Sequence, residues 1–242
     1  VPEELEVVSV NAINSHTLEV TLNRAEEDLT KEDFVVKNAA TNFQVIVNEA
    51  AVDGNVATLK LASSLEDETE YVVTVAGSEG YTFTFELAEP ASIVINEKAI
   101  PEGSYESGDD SFRLTATVYD ENGNDITVDY ASDIVWTSSP AGLVTPDGEL
   151  NADVEAGQVI AVKVEVEGTN VSTGFELIEV QARKVAEFKG FHIATAPPNW
   201  NDLEEYNHSI FVEPENPHFV FVNAVDQFGD AYSDFTVQSQ TL

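Results

Sequence analysis

The sequence predicts an all-β fold, on three observations. Apolar and polar residues alternate with a period of two in short runs, as in residues 81–87, where odd positions are apolar and even positions are Thr or Glu. Turn signals rich in Gly, Asn and Asp separate these runs, as at residues 53–55 and 122–124. No stretch shows a sustained helical period. Together these patterns predict tandem immunoglobulin-like β-sandwich domains.

The first predicted domain, residues 1–88, contains seven short strands, the strand density of an immunoglobulin-like sandwich. They are predicted at residues 5–13, 18–22, 34–37, 43–47, 57–61, 71–75 and 81–87. Tyr71 begins the sixth strand directly after an acidic run. This is the position of a tyrosine corner, whose hydroxyl bonds back to the chain. A packed core aromatic is the alternative for Tyr71.

The second predicted domain, residues 89–182, follows a linker of Ala88, Glu89 and Pro90. Its alternating runs fall at residues 112–118 and 160–166, with turns between them. Trp136 lies on the third strand, where immunoglobulin-like folds bury a Trp in the core.

Residues 183–242 form a partial third β domain that repeats part of the second. In both, a strand ends in an Asp, Asp120 or Asp226, and a Gly follows three residues later. The two Asp residues are 106 positions apart, so Leu242 falls opposite Trp136. Residues 183–242 are therefore predicted to supply about half of a truncated sandwich, or else a different fold whose return strands lie beyond this sequence. A start at Val1 and the absence of Met predict an internal segment of a longer protein.

Composition narrows the classes of function. The chain has 45 acidic and 10 basic residues and a net charge of -35, so its field repels nucleic-acid phosphates and anionic lipid. With no Cys, it has no disulfides, thiolate catalysis or zinc–cysteine sites. The sequence contains no apolar run long enough to span a membrane, so membrane insertion is not predicted. The partners expected are cations or basic surfaces.

Catalysis is not predicted. The four His residues are scattered, and the sequence contains no nucleophile elbow, no zinc-binding His-Glu-x-x-His and no phosphate-binding loop. Because carboxylates are abundant everywhere, their adjacency gives no evidence of acid–base chemistry.

Several motifs resemble those of bacterial surface-layer (S-layer) proteins. Residues 5–10 (LEVVSV), 16–23 (HTLEVTLN), 34–38 (FVVKN) and 65–75 (LEDETEYVVTV) are similar to their immunoglobulin-like domains. Residues 114–123 (LTATVYDENG), Trp136 and residues 147–148 resemble the bacterial immunoglobulin-like domain of S-layer proteins and adhesins. The resemblance implies self-assembly into a cell-surface lattice, commonly dependent on calcium. It also implies attachment to cell-wall polymer through separate domains, none of which is visible here.

Calcium is the predicted cofactor. The loop at residues 120–125 offers oxygen ligands around a Gly, like part of an EF-hand loop, although the same string also suits a plain hairpin turn. In a sandwich this loop should face the linker and the acidic corner at residues 66–68, and Asp226 and Asp230 should likewise face Asp109 and Asp110. We expect a cation to neutralise the acids that meet at each junction. The predicted metal ligands are Asp67, Asp109, Asp110, Asp120, Asn122, Asn124, Asp125, Asp226 and Asp230.

The sequence therefore predicts a non-enzymatic, secreted structural component of a bacterial S-layer whose partners are lattice copies of itself. The alternative is an immunoglobulin-like stalk or binding module of an adhesin or of a secreted glycan-degrading enzyme. Ordered arrays would favour the first, and isolated rods the second.

Overall fold

The computed structural model describes residues 4–106, 108, 112–199 and 219–233. Eight strands build the first sandwich: β1 (Val7–Asn14), β2 (Thr17–Leu22), β3 (Phe34–Asn38), β4 (Gln44–Val45), β5 (Val47–Asp53), β6 (Val56–Leu61), β7 (Thr69–Val75) and β8 (Tyr81–Phe85). They form two four-stranded antiparallel sheets, in the orders β1-β2-β6-β5 and β4-β3-β7-β8. The chain passes from one sheet to the other at Ile46. A single short 3-10 helix, Lys31–Asp33, precedes β3 in the described part of this domain.

The first core lies between these two sheets. In β2 every second residue is buried, and β7 behaves in the same way along its second half. Leu18, Val20 and Val73 are fully enclosed. The Tyr71 hydroxyl accepts a hydrogen bond from the Glu66 backbone N–H at 2.9 Å, so the predicted tyrosine corner is confirmed.

The second sandwich is built from eight strands and one short helix. The strands are β9 (Ser92–Ile95), β10 (Ala99–Pro101), β11 (Gly103–Ser104), β12 (Ala116–Tyr119), β13 (Ile134–Ser139), β14 (Asp153–Val154), β15 (Val159–Val166) and β16 (Glu176–Gln181). The main sheet has the order β10-β16-β15-β13, and two-stranded sheets pair β9 with β12 and β11 with β14. Strand β10 runs parallel to β16. Helix α1 (Thr127–Tyr130) follows β12.

Trp136 lies in the second core, as predicted, with 4% of its surface exposed. Gly148 packs directly against it with a φ of +90°. A Cβ at Gly148 would lie 2.8 Å from the Leu114 carbonyl oxygen and 2.9 Å from the Trp136 indole nitrogen. This close approach requires glycine.

The third region contributes one antiparallel pair of described strands, β17 (Val185–Ala194) and β18 (Phe219–Asp226). The fold is thus nearly all β, with immunoglobulin-like sandwiches in tandem, as predicted. No helix among the described residues is long and apolar enough to cross a membrane.

Candidate functional site: the two domain junctions

At the first junction, the turn between β1 and β2 docks onto α1 of the second sandwich. The buried Ser15 donates its backbone N–H to the Asp129 carboxylate, whose oxygens lie 3.1 and 3.2 Å away. The Asn14 side-chain amide donates to the Asp125 carbonyl oxygen at 3.0 Å. A hydrogen bond from the His16 N–H to the Asn14 side-chain oxygen fixes the turn. The contact therefore includes a charge-assisted hydrogen bond, which is stronger than a neutral one.

The linker itself is bonded on both sides. The Asp67 carboxylate accepts the Leu87 backbone N–H at 2.7 Å, and the Tyr130 hydroxyl donates to the Ala88 carbonyl oxygen at 2.9 Å. One bond comes from the first sandwich and the other from the second. These bonds restrict the linker from both domains.

Carboxylates gather around the Tyr130 hydroxyl. Burial raises the pKa of Tyr130, and the negative charges of Asp129, Glu89, Asp133 and Asp67 raise it further. Each of these charges disfavours the phenolate. Of these four acids, only Asp67 belonged to the predicted metal set.

The loop at residues 120–125 faces the linker, as predicted, and lines an open cleft together with residues 88–91. Asp120 is buried within this loop. One of its carboxylate oxygens accepts the backbone N–H groups of Asn122 and Asn124, both at 2.8 Å. The other accepts their side-chain amides at 3.3 and 2.9 Å. Burial alone would raise the pKa of Asp120, but the hydrogen bonds from Asn124 and Asn122 outweigh it and lower the pKa.

Asp125 lies two residues before the start of α1. Its carboxylate accepts the Thr127 backbone N–H at 2.9 Å and the Thr127 hydroxyl at 2.6 Å. The Asp125 backbone carbonyl faces the first sandwich and bonds Asn14. Its side chain therefore bonds the first residue of α1, and its main chain bonds the first sandwich.

The second junction contains an arginine where a cation was predicted. Arg183 Nη1 lies 3.0 Å from an Asp226 carboxylate oxygen and 3.3 Å from an Asp230 carboxylate oxygen. The Asp226 side chain is completely buried, and its other oxygen accepts the N–H groups of Phe228 and Asp230 at 2.9 and 3.1 Å. The positive charge that faces these two acids is therefore a guanidinium of the chain itself.

Further contacts close this second junction. The Gln227 side chain bonds both sides of the boundary between the second and third regions. It accepts the Lys184 N–H at 2.9 Å and donates to the Ala182 carbonyl oxygen at 2.8 Å. The rings of Phe112 and Phe228 meet edge to face with centroids 6.4 Å apart. The third region is thereby bonded to the second through polar and aromatic contacts.

The described acids of the predicted metal set are bonded within the chain. Asp67 caps the linker, Asp120 is bonded by Asn122 and Asn124, Asp125 bonds Thr127, and Asp226 and Asp230 hold Arg183. In the part of the chain that the structure describes, no three His, Asp or Glu residues converge as metal ligands. Binding of a cation by the described acids of this set stays a prediction. Asp109 and Asp110 lie outside the described residues, so their contact with Asp226 and Asp230 stays a prediction.

Several residues of the junctions were not predicted. Asp129, Tyr130 and Ser15 carry no motif, and a one-turn helix gives no periodic signal in the sequence. The sequence did offer grounds for predicting Arg183 as a junction residue, because it is one of only ten basic residues and lies at a predicted domain boundary. A scarce cation in an acidic linker is a candidate partner for buried acids.

Tandem sandwiches with bonded junctions define a class of multidomain β proteins. No protein-family model matches the sequence. Along almost its whole length the chain is similar to two curated proteins. It is 23% identical over 243 residues to an S-layer protein of Bacillus thuringiensis subsp. finitimus, covering 99% of this chain and 29% of that protein. It is 28% identical over 243 residues to S-layer protein sap of Bacillus anthracis, covering 98% of this chain and 27% of that protein.

Among solved structures, the chain is similar to domains 1–6 of surface layer protein SbsC. The identity is 23%, the TM-score is 0.45, and the match covers 97% of this chain and 34% of that one. The chain spans less than a third of the length of the curated relatives. The resemblance to bacterial S-layer proteins is confirmed by these two relatives.

Proposed function

We propose that this chain is a structural segment of a bacterial S-layer, located at the cell surface, in which tandem sandwiches form the body of a self-assembling lattice. The observation that carries the proposal is the similarity to two S-layer proteins over 98% or more of the chain. The bonded junctions support it, because a lattice needs fixed distances between domains. No residue is assigned a catalytic role, and the relatives are named as S-layer proteins.

Electron microscopy tests the proposal. The protein, expressed at its full natural length, is expected to form ordered two-dimensional arrays on dilution from denaturant. Isolated rods or monomers under every condition would contradict it and favour the stalk of an adhesin or secreted enzyme.

Calcium dependence of assembly is a separate prediction, which the resemblance to S-layer proteins implies. Arrays formed with calcium and after chelation are compared by the same method. Loss of arrays on chelation, restored by calcium but not by magnesium, supports it. Equal arrays in both samples contradict it.

A further inference from the structure

Strand β16 presents an open edge with exposed apolar side chains. It pairs with β10 only over residues 179–181, so among the described residues 176–178 have β15 as their single partner strand. Leu177, at 73% exposure, is the most exposed large apolar residue that the structure describes, and Phe175 is also exposed. Edges of this kind are usually protected by charges, Pro or a covering element. We name residues 175–178 the β16 edge.

The first sandwich presents a second open edge at β4, the outermost strand of its sheet. Phe43 and Ile46 flank it and are 70% and 63% exposed. We name residues 43–46 the β4 edge.

Local hydrogen bonds hold the β4 edge in place. The Asn38 side-chain oxygen accepts the N–H groups of Ala40 and Thr41 at 3.0 and 2.9 Å. The Phe43 carbonyl oxygen accepts the Asn38 N–H at 2.9 Å. The turn that precedes Phe43 is therefore ordered, and the ring is exposed by the fold rather than by a loose loop.

Charge distinguishes the two edges. Six of the ten basic residues form ion pairs within the described chain: Arg24, Lys60, Arg113, Lys163, Arg183 and Lys189. Lys37, opposite Gln44 of the β4 edge, has no ion pair among the described residues. Glu176 and Glu179, on either side of Leu177, also form no ion pair among the described residues.

Complementarity therefore favours one pairing. Two β16 edges would place glutamates against glutamates, and a net charge of -35 already repels two copies. A β16 edge against a β4 edge brings apolar side chains together and places Lys37 beside glutamate. We propose that the β16 edge of one chain docks against the β4 edge of a second copy, extending its sheet by strand addition.

Such a contact joins different surfaces of two copies, so it leaves one edge of each kind free and propagates. This suits a lattice, and the inference rests on the proposed function because it names the partner as a second copy. It deepens that function by assigning the surfaces that meet.

Sedimentation velocity over a concentration series tests the contact. The unaltered chain is expected to associate as concentration rises. Leu177→Lys and Phe43→Glu are each expected to weaken association by about tenfold or more, since the new lysine would face Lys37 and the new glutamate would face a glutamate of the β16 edge. Val8→Lys is the matched control, because Val8 is similarly exposed on β1, away from both edges. It is expected to leave association unchanged.

A charge exchange tests the pairing itself. Lys37→Glu and Glu176→Lys are each expected to weaken association, and the double variant is expected to restore it. Circular dichroism checks that every variant is folded. The inference is overturned if the unaltered chain does not associate, if Leu177→Lys behaves like Val8→Lys, or if the double variant is weaker than both single ones.

These outcomes are distinct from those for the proposed function. Arrays that persist in Leu177→Lys would overturn the edge contact and leave the S-layer function standing. Edge-dependent association without arrays at full natural length would do the reverse.

Discussion

Asp120 and Asp226 occupy the same position in two copies of one loop. In both, one carboxylate oxygen accepts two backbone N–H groups of the loop. The second oxygen accepts two asparagine amides in the first loop and an arginine in the second. A buried carboxylate is costly unless hydrogen bonds or a counter-charge satisfy it. The two backbone hydrogen bonds are thus the same in both loops, whereas different side chains bond the second carboxylate oxygen.

Arg183→Met is expected to destabilise the second junction by about 3 kcal/mol, because it leaves the fully buried Asp226 carboxylate without its counter-charge. Hydrogen exchange at the Phe228 and Asp230 amides measures the local loss. Asp230→Asn is the control, since Asp230 is 54% exposed and its pairing should contribute less than about 1 kcal/mol. Equal losses in the two variants would contradict this assignment.

Gly148→Ala is expected to lower the free energy of unfolding of the second sandwich by about 3 kcal/mol, through a left-handed φ and a clash with the Leu114 carbonyl. Gly142→Ala is the control, because its φ is also positive but nothing lies within 4 Å of the added Cβ. It should lose only about 1 kcal/mol. Urea denaturation compares them, and similar losses would show that the contact with Trp136 is not tight.

At the scale of elements, strands with clear alternation were predicted and β5 was not. Its residues 48–51, Asn-Glu-Ala-Ala, show no apolar alternation, yet tertiary pairing with β6 makes them a strand. Tertiary context overrides weak local preference in sheets.

The sequence likewise predicts one part of the candidate site and not another. The position of the loop at residues 120–125 beside the linker followed from the sandwich topology. The partner of each carboxylate did not, because it depends on whether a neighbouring amide or guanidinium reaches the oxygen. From the sequence alone, Asn122 and Asn124 are equally suited to be calcium ligands and to be hydrogen-bond donors to Asp120.

The first junction is expected to weaken at alkaline pH. Tyr130 has a folded pKa raised above its usual value of 10.0, so its contribution is complete below that pH and is lost as pH rises through the folded pKa. Tyr130→Phe should reduce this loss without abolishing it, because burial also raises the pKa of Tyr105. Urea denaturation at about pH 8 and about pH 11 measures the change. An identical loss in the variant would contradict the role of Tyr130.

For the whole molecule, a net charge of -35 makes self-repulsion the main electrostatic term. NaCl and CaCl2 at matched ionic strength are therefore expected to raise the unfolding temperature of this chain equally, since both screen the charges. MgCl2 serves as the divalent control. A larger, saturable effect of calcium alone would contradict this and indicate a specific site.

The parallel pairing of β10 with β16 gives the second sandwich a mechanical property. These strands lie at the start and the end of the domain, so tension along the chain slides them past each other and strains their hydrogen bonds together. In the first sandwich no described ladder joins β1 to β8. In force spectroscopy the second sandwich should unfold at higher force than the first, and Ile100→Pro, which removes a ladder N–H, should abolish the difference. A chain under tension would then lengthen at the first sandwich while the second keeps its length.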